Sequence, residues 1–223
     1  LRRTRKGAAA APTRCIGQSP TARSLNTEGN PEAPWRPTRE QLSAARNETI
    51  PDIGGPGLAV LFAGINPSLY SAAVGHHFGR PGNRFWKALH AAGFTPRLLT
   101  AFDDVELPRW RIGITNMVAR ATVAAAELSA GELREGGAAL ERLVERWRPA
   151  LVAFVGVQAY RVAYRRPAAV VGRQAAELGK AGIWVLPNTS GLQAHYQYPD
   201  LVRLYSELHQ AAFAEREADA GSV

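Results

Sequence analysis

Apolar residues recur along this chain in two alternating modes, continuous runs and helical spacings. Leu58 to Ala63 is an unbroken run, Ile112 to Val118 a second that holds Gly113, Leu151 to Val155 a third and Ile183 to Leu186 a fourth. Short apolar runs bounded by turn residues predict strands buried on both faces. Between them the period lengthens. Phe85, Leu89 and Ala92 stand at i, i+4 and i+7 behind Pro81-Gly82-Asn83, with Gly93 placed to stop the helix. A capping box, Ser129-Ala130-Gly131-Glu132, opens a helix that sets Leu133, Leu140, Leu143, Val144 and Trp147 on one face and ends before Pro149. Gly156 turns the chain into a shorter helix around Ala159 to Tyr164. A final helix starts near Pro199 and turns Leu201, Leu204, Tyr205 and Leu208 inward. A second capping box, Thr38-Arg39-Glu40-Gln41, predicts a short first helix through Arg46.

Strands alternating with helices predict an α/β fold, a three-layer α/β/α domain around a short, mostly parallel four-stranded sheet. In such a sheet the loops leaving the carboxyl ends of neighbouring strands converge on one crevice, where ligands bind. Two of these loops stand out, Gly64-Ile65-Asn66-Pro67-Ser68 and Asn188-Thr189-Ser190-Gly191-Leu192-Gln193. They carry small residues, amides and one leucine, which suits a site that admits a planar group and wedges something apart.

Charge divides the chain. The formal net charge is +8, but Arg2, Arg3, Arg5, Lys6, Arg14 and Arg23 all precede the first acidic residue, Glu28, so the remainder is close to neutral. Residues 1–37 are rich in Arg, Ala, Pro, Thr and Ser without periodicity. They predict a disordered basic tail ahead of a domain over 38–216 and a C-terminal tail over 217–223. The basic tail suits either solubility or nonspecific contact with a polyanion. Cys15 is the only cysteine, which fits a reducing compartment and leaves no thiolates for an iron–sulfur cluster. No apolar run reaches membrane-spanning length.

Asn66 is the leading candidate for chemistry. An amide is no general base near neutral pH, but its carbonyl oxygen accepts a hydrogen bond and can orient a water. That suits cleavage of a bond whose leaving group is already good, such as the bond between a pyrimidine and deoxyribose. Taken alone, Asn66-Pro67 also reads as a turn that ends a strand.

Together these segments resemble the mismatch-specific uracil/thymine-DNA glycosylase family, from Pro56 to about Phe213 and in family order. Gly64-Ile65-Asn66-Pro67 matches the catalytic motif, and the resemblance makes Asn66 the water-positioning residue, with Ile65 beside it in the base pocket. Gly75-His76-His77-Phe78, followed by Pro81 to Trp86, looks like the base-stacking loop, with Phe78 against the flipped pyrimidine and His77 a pocket residue. Gly113 to Val118 is similar to the thymine-processing branch, which implies that Asn116 and Thr122 lie beside the base. Ser71 falls where that branch carries alanine, near the 5-position of the pyrimidine. Ser190-Gly191-Leu192-Gln193 aligns with the intercalation loop: Leu192 would be the wedge, with Gly191 and Gln193 reading the orphaned guanine. Ala194 stands where bacterial relatives often carry arginine.

The resemblance implies a monofunctional enzyme without cofactor or metal, working as a monomer on double-stranded DNA that carries G:U or G:T mismatches, with no membrane partner. It implies a cytoplasmic, nucleoid-associated setting. The rival reading is a DNA-damage or nucleotide-binding α/β module without catalysis. Gly64 to Ser68 lacks the Gly-Lys-Ser/Thr ending of a phosphate-binding loop, and no G-x-G-x-x-G follows the first strand. His76 reads as structural. Asp103, Asp104 and Glu106 read as a solvated acidic cluster in a loop.

Overall fold

The computed structural model describes residues 36–191 and 195–220. Nearly all of the basic tail, with Cys15, and the positions Leu192, Gln193 and Ala194 lie outside the described residues.

The elements run α1 (Arg39–Ala44), β1 (Val60–Gly64), α2 (Leu69–Val74), α3 (Phe85–Ala91), β2 (Ile112–Asn116), α4 (Ala130–Trp147), β3 (Leu151–Val155), α5 (Val157–Ala163), β4 (Gly172–Leu178), β5 (Ala181–Leu186) and α6 (Tyr198–Ala220). Both capping boxes form. Thr38 Oγ accepts from the Gln41 amide ahead of α1, and Ser129 Oγ accepts from the Glu132 amide ahead of α4. α6 carries the chain through Ala220, past the predicted domain end at 216.

The sheet has five strands, in the order β2-β1-β3-β5-β4, rather than the four expected. β2, β1, β3 and β5 are parallel; β4 is the added strand and pairs antiparallel with β5. Its sequence, Gly-Arg-Gln-Ala-Ala-Glu-Leu, escapes a search for apolar runs because it lies at the sheet edge and alternates exposed with half-buried positions. A tight turn at Gly179-Lys180, with φ +62° at the glycine, closes the hairpin.

Alternation along β1 divides the core. Val60 and Phe62 face α3 and α6, while Leu61 and Ala63 face α4 and α5. Phe62 meets Phe85 of α3 edge-on at 5.3 Å and stacks with Tyr205 of α6 at 5.8 Å. Leu201, Leu204, Tyr205 and Leu208 are all buried, as the helical spacing predicts. Two packed layers of helix therefore hold the parallel strands rigid, and the carboxyl ends of β1, β2, β3 and β5 open on one side.

The stretch Ala101–Trp110, expected as a solvated loop, is a 3-10 helix. Asp103 and Glu106 pair with Arg97 at its surface. Asp104 departs fully from expectation: it is 1% exposed. A buried carboxylate must be met by donors, and its donors belong to the candidate site.

Candidate active site

β1 ends at Gly64, directly across from Asn116 at the end of β2. The pairing explains the glycine. A Cβ on Gly64 would stand 2.5 Å from Asn116 Oδ1, so any side chain there would push the amide aside. Beyond the strand, the segment through Pro67 is knit to the chain after β2. Gly64 O and Ile65 O accept from the amides of Met117 and Val118, and Pro67 O accepts from Thr122.

That backbone frame fixes Asn66. Its side-chain Nδ2 donates both hydrogens, one to Arg120 O at 3.0 Å and one to Thr122 Oγ at 2.7 Å. Thr122 sends its own hydroxyl hydrogen to Ala124 O at 2.9 Å, so its oxygen has a lone pair to offer Asn66. With both N–H bonds engaged, the amide is locked and Oδ1 is left for an incoming donor. A carbonyl oxygen held in that way can fix a water but cannot deprotonate it.

The loop after α2 builds the opposite wall. His77 is 1% exposed. Its Nε2 faces Pro51 O at 2.9 Å, and a carbonyl only accepts, so Nε2 carries the proton. Nδ1 is then an acceptor and takes a hydrogen from Asn116 Nδ2 at 3.2 Å. The imidazole thereby fixes which way the Asn116 amide faces. Burial lowers the His77 pKa, against the upward pull of the Pro51 carbonyl and of Asp104 and Asp52, and so favours the neutral ring that this arrangement requires.

Phe78 takes a left-handed backbone, with φ +52°, and stacks on Phe85 with ring centroids 3.9 Å apart. Such a conformation costs a non-glycine residue on the order of 1 kcal/mol. The neighbours on both sides hold it. The His77 amide donates to Asp104 at 3.1 Å, and the Gly79 amide donates to Ser71 Oγ at 3.0 Å. His76 Nδ1 meets the other oxygen of Asp104 at 2.9 Å, which completes the partners of the buried carboxylate.

Asn66, Ile65, Ser71, His77, Phe78, Asn116 and Thr122 thus line one cavity of about 350 Å³. The Thr122 hydroxyl accepts from Asn66 and donates to Ala124 O. Ser71 is buried and also accepts from Ser68 Oγ, so its oxygen has partners already. Gly191 lies in an adjoining cleft of about 170 Å³ with Arg80, Pro81, Asn83 and Ser190. Leu192 and Gln193 are outside the described residues.

Four residues take roles in the site that the sequence does not assign them. Asn188 and Ser190 close the cavity from the β5 side. Arg84 donates to Thr189 O, Ser190 O and Tyr196 O at 3.4, 3.1 and 2.7 Å, and so ties the two described stems of the terminal loop to α3. Asp104 is the fourth. It is separated from its two histidines by 28 and 27 positions, and no local pattern joins them.

A family model described as the uracil DNA glycosylase superfamily matches residues 51–211, which takes in every described element of the site. The fold is also similar to the solution NMR structure of a candidate uracil DNA glycosylase from Methanosarcina acetivorans. The match has a TM-score of 0.50 at 19% sequence identity and covers 73% of this chain and 98% of that one. At that identity the likeness speaks to the fold.

Proposed function

The chain belongs to the uracil DNA glycosylase superfamily, and on that premise we propose that it is a monofunctional, mismatch-specific enzyme. It hydrolyses the N-glycosidic bond of uracil opposite guanine in double-stranded DNA and so begins base excision repair. Thymine and modified cytosines are candidates for slower substrates. The observation that carries the reading is the locked Asn66 amide, whose Oδ1 is free to position a water at the mouth of a cavity of about 350 Å³.

The chemistry follows from what that amide is able to do. As the glycosidic bond stretches, positive charge develops on the sugar and negative charge on the departing pyrimidine. Asn66 needs only to hold the water against the sugar carbon. The proton can leave after the water has added to the cationic sugar, so no strong base is called for. Asn116, oriented by His77, faces the pyrimidine edge, and Phe78 offers an aromatic face for stacking. Among the cavity-lining residues there is no lysine to attack the sugar and form a Schiff base, which supports hydrolysis and an intact backbone.

A base in a duplex reaches such a cavity only if it is extruded, at a cost of a few kcal/mol that is lowest in mismatched pairs. The loop after Ser190-Gly191 adjoins the mouth, and Leu192 is the proposed wedge. We take the working form to be a monomer.

The test is an end-labelled G·U duplex incubated with the protein and then treated with alkali. Cleavage at the uracil position only after alkali is expected. Nicking without alkali together with borohydride trapping would overturn the monofunctional assignment, and retention of the duplex without any base release would favour a binding module.

A further inference from the structure

The charges that face the mouth of the cavity are few. Among the described residues, no carboxylate lines the cavity or the adjoining cleft, and Arg80, which lines both, is the one arginine or lysine that does. Seven other arginines of the domain are engaged within the fold. Arg46, Arg97, Arg120 and Arg203 face carboxylates, and Arg84, Arg111 and Arg161 donate to backbone carbonyls. Arg80 is exposed, and while its carbonyl accepts from the Asn83 amide, its guanidinium has no hydrogen-bond or ion-pair partner among the described residues.

Its surroundings favour an anion. The loop that carries Arg80 abuts the stem after β5 so closely that a Cβ on Gly191 would lie 3.0 Å from Gly82 O. Arg84 is hydrogen-bonded to the carbonyls of Thr189 and Ser190 on that stem, which offsets the negative potential they would present to a phosphate. A cation at the lip of a pocket that takes a neutral base serves the group joined to that base through its sugar.

We infer that Arg80 binds the DNA phosphodiester adjoining the extruded nucleotide, in the cleft between Pro81-Asn83 and Ser190-Gly191. A guanidinium presents two parallel N–H bonds to phosphate oxygens, which gives orientation as well as charge. The contact anchors the backbone on one side of the target, so the nucleotide rotates about a fixed point. This inference rests on the glycosylase reading of the same cavity.

The experiment measures affinity for a G·U duplex across a salt series, by anisotropy, for the wild type, Arg80→Gln and Arg80→Lys. Removing one phosphate contact should lower the slope of log affinity against log salt by about one, and weaken binding roughly five- to tenfold near 0.1 M salt. Arg80→Lys should restore most of the slope. A duplex with a neutral methylphosphonate at the linkage next to the uridine should weaken the wild type but not Arg80→Gln. An unchanged slope in Arg80→Gln, or a methylphosphonate penalty that persists in it for the linkages on both sides, overturns the inference while uracil release by the wild type stands. Failure of the wild type to release uracil strikes instead at the functional reading beneath it.

Discussion

Asn66 Nδ2 lies 2.7 Å from Thr122 Oγ, and Thr122 in turn donates to Ala124 O. The threonine, which also lines the cavity, therefore supports the amide. Thr122→Val keeps the shape but removes the acceptor, leaving one Asn66 hydrogen without its partner and the amide free to turn. The single-turnover rate should fall on the order of tenfold, about 1.4 kcal/mol of barrier, while Thr122→Ser retains most of it. Equal rates for valine and serine variants would show that the hydroxyl does not steer Asn66.

His77 makes the pocket sensitive to acid. Its pKa is held down by burial, so the unfolded chain takes up a proton at a higher pH than the folded one does. Stability is thus complete above the ordinary histidine value of 6.5 and is lost as pH falls through the lowered value of the folded state. Protonation at Nδ1 would also set a second donor against Asn116 Nδ2. Thermal melting of the wild type should decline below pH 6.5 more steeply than that of His77→Gln. His209, also lowered by burial, is common to both proteins and cancels in the comparison. Parallel declines would remove His77 as the cause.

Ser71 bears on thymine. A methyl-sized clash discriminates by roughly 10- to 200-fold, and Ser71 lines the cavity beside Phe78. Ser71→Ala should raise the rate on G·T relative to G·U. The structure adds a second expectation: Ser71 Oγ holds the Gly79 amide, so the variant should also lose about 1 kcal/mol of stability. A stability loss with an unaltered G·T to G·U ratio would make Ser71 an anchor of the Phe78 loop and no gate.

Arg84 separates extrusion from chemistry. It joins Thr189 and Ser190 on one stem to Tyr196 on the other, and Leu192 falls between those stems in sequence. Arg84→Gln should slow release of uracil from a paired duplex more than from a single strand, and Leu192→Ala should behave in the same way, because a single strand has no stack to open. Equal losses on both substrates would assign Arg84 to folding alone.

Much of this was legible in the chain, for reasons that differ by element. β3, Leu151–Val155, coincides with its apolar run because a strand buried on both faces has no polar positions to blur its ends. α4 runs from its capping box to Trp147 as expected, since capping box and proline are local signals. β4 was invisible because an edge strand need not be apolar. Asn66, His77, Phe78 and Asn116 were named from their motifs and meet in one cavity, but what orients them was hidden. The partners are a backbone carbonyl of Pro51, a buried Asp104 read as solvated, and a threonine facing Asn66 across 56 positions. Long-range hydrogen bonds between ordinary polar residues leave no periodic trace.

The central claim is that Asn66 positions the attacking water, and the most direct measurement is the single-turnover rate of Asn66→Ala on a G·U duplex, taken together with its affinity for that duplex. The wild-type cavity should release uracil and leave an abasic site, and the variant should be slower on the order of a hundredfold or more with affinity nearly unchanged. A variant that excises uracil at close to the wild-type rate would contradict the account.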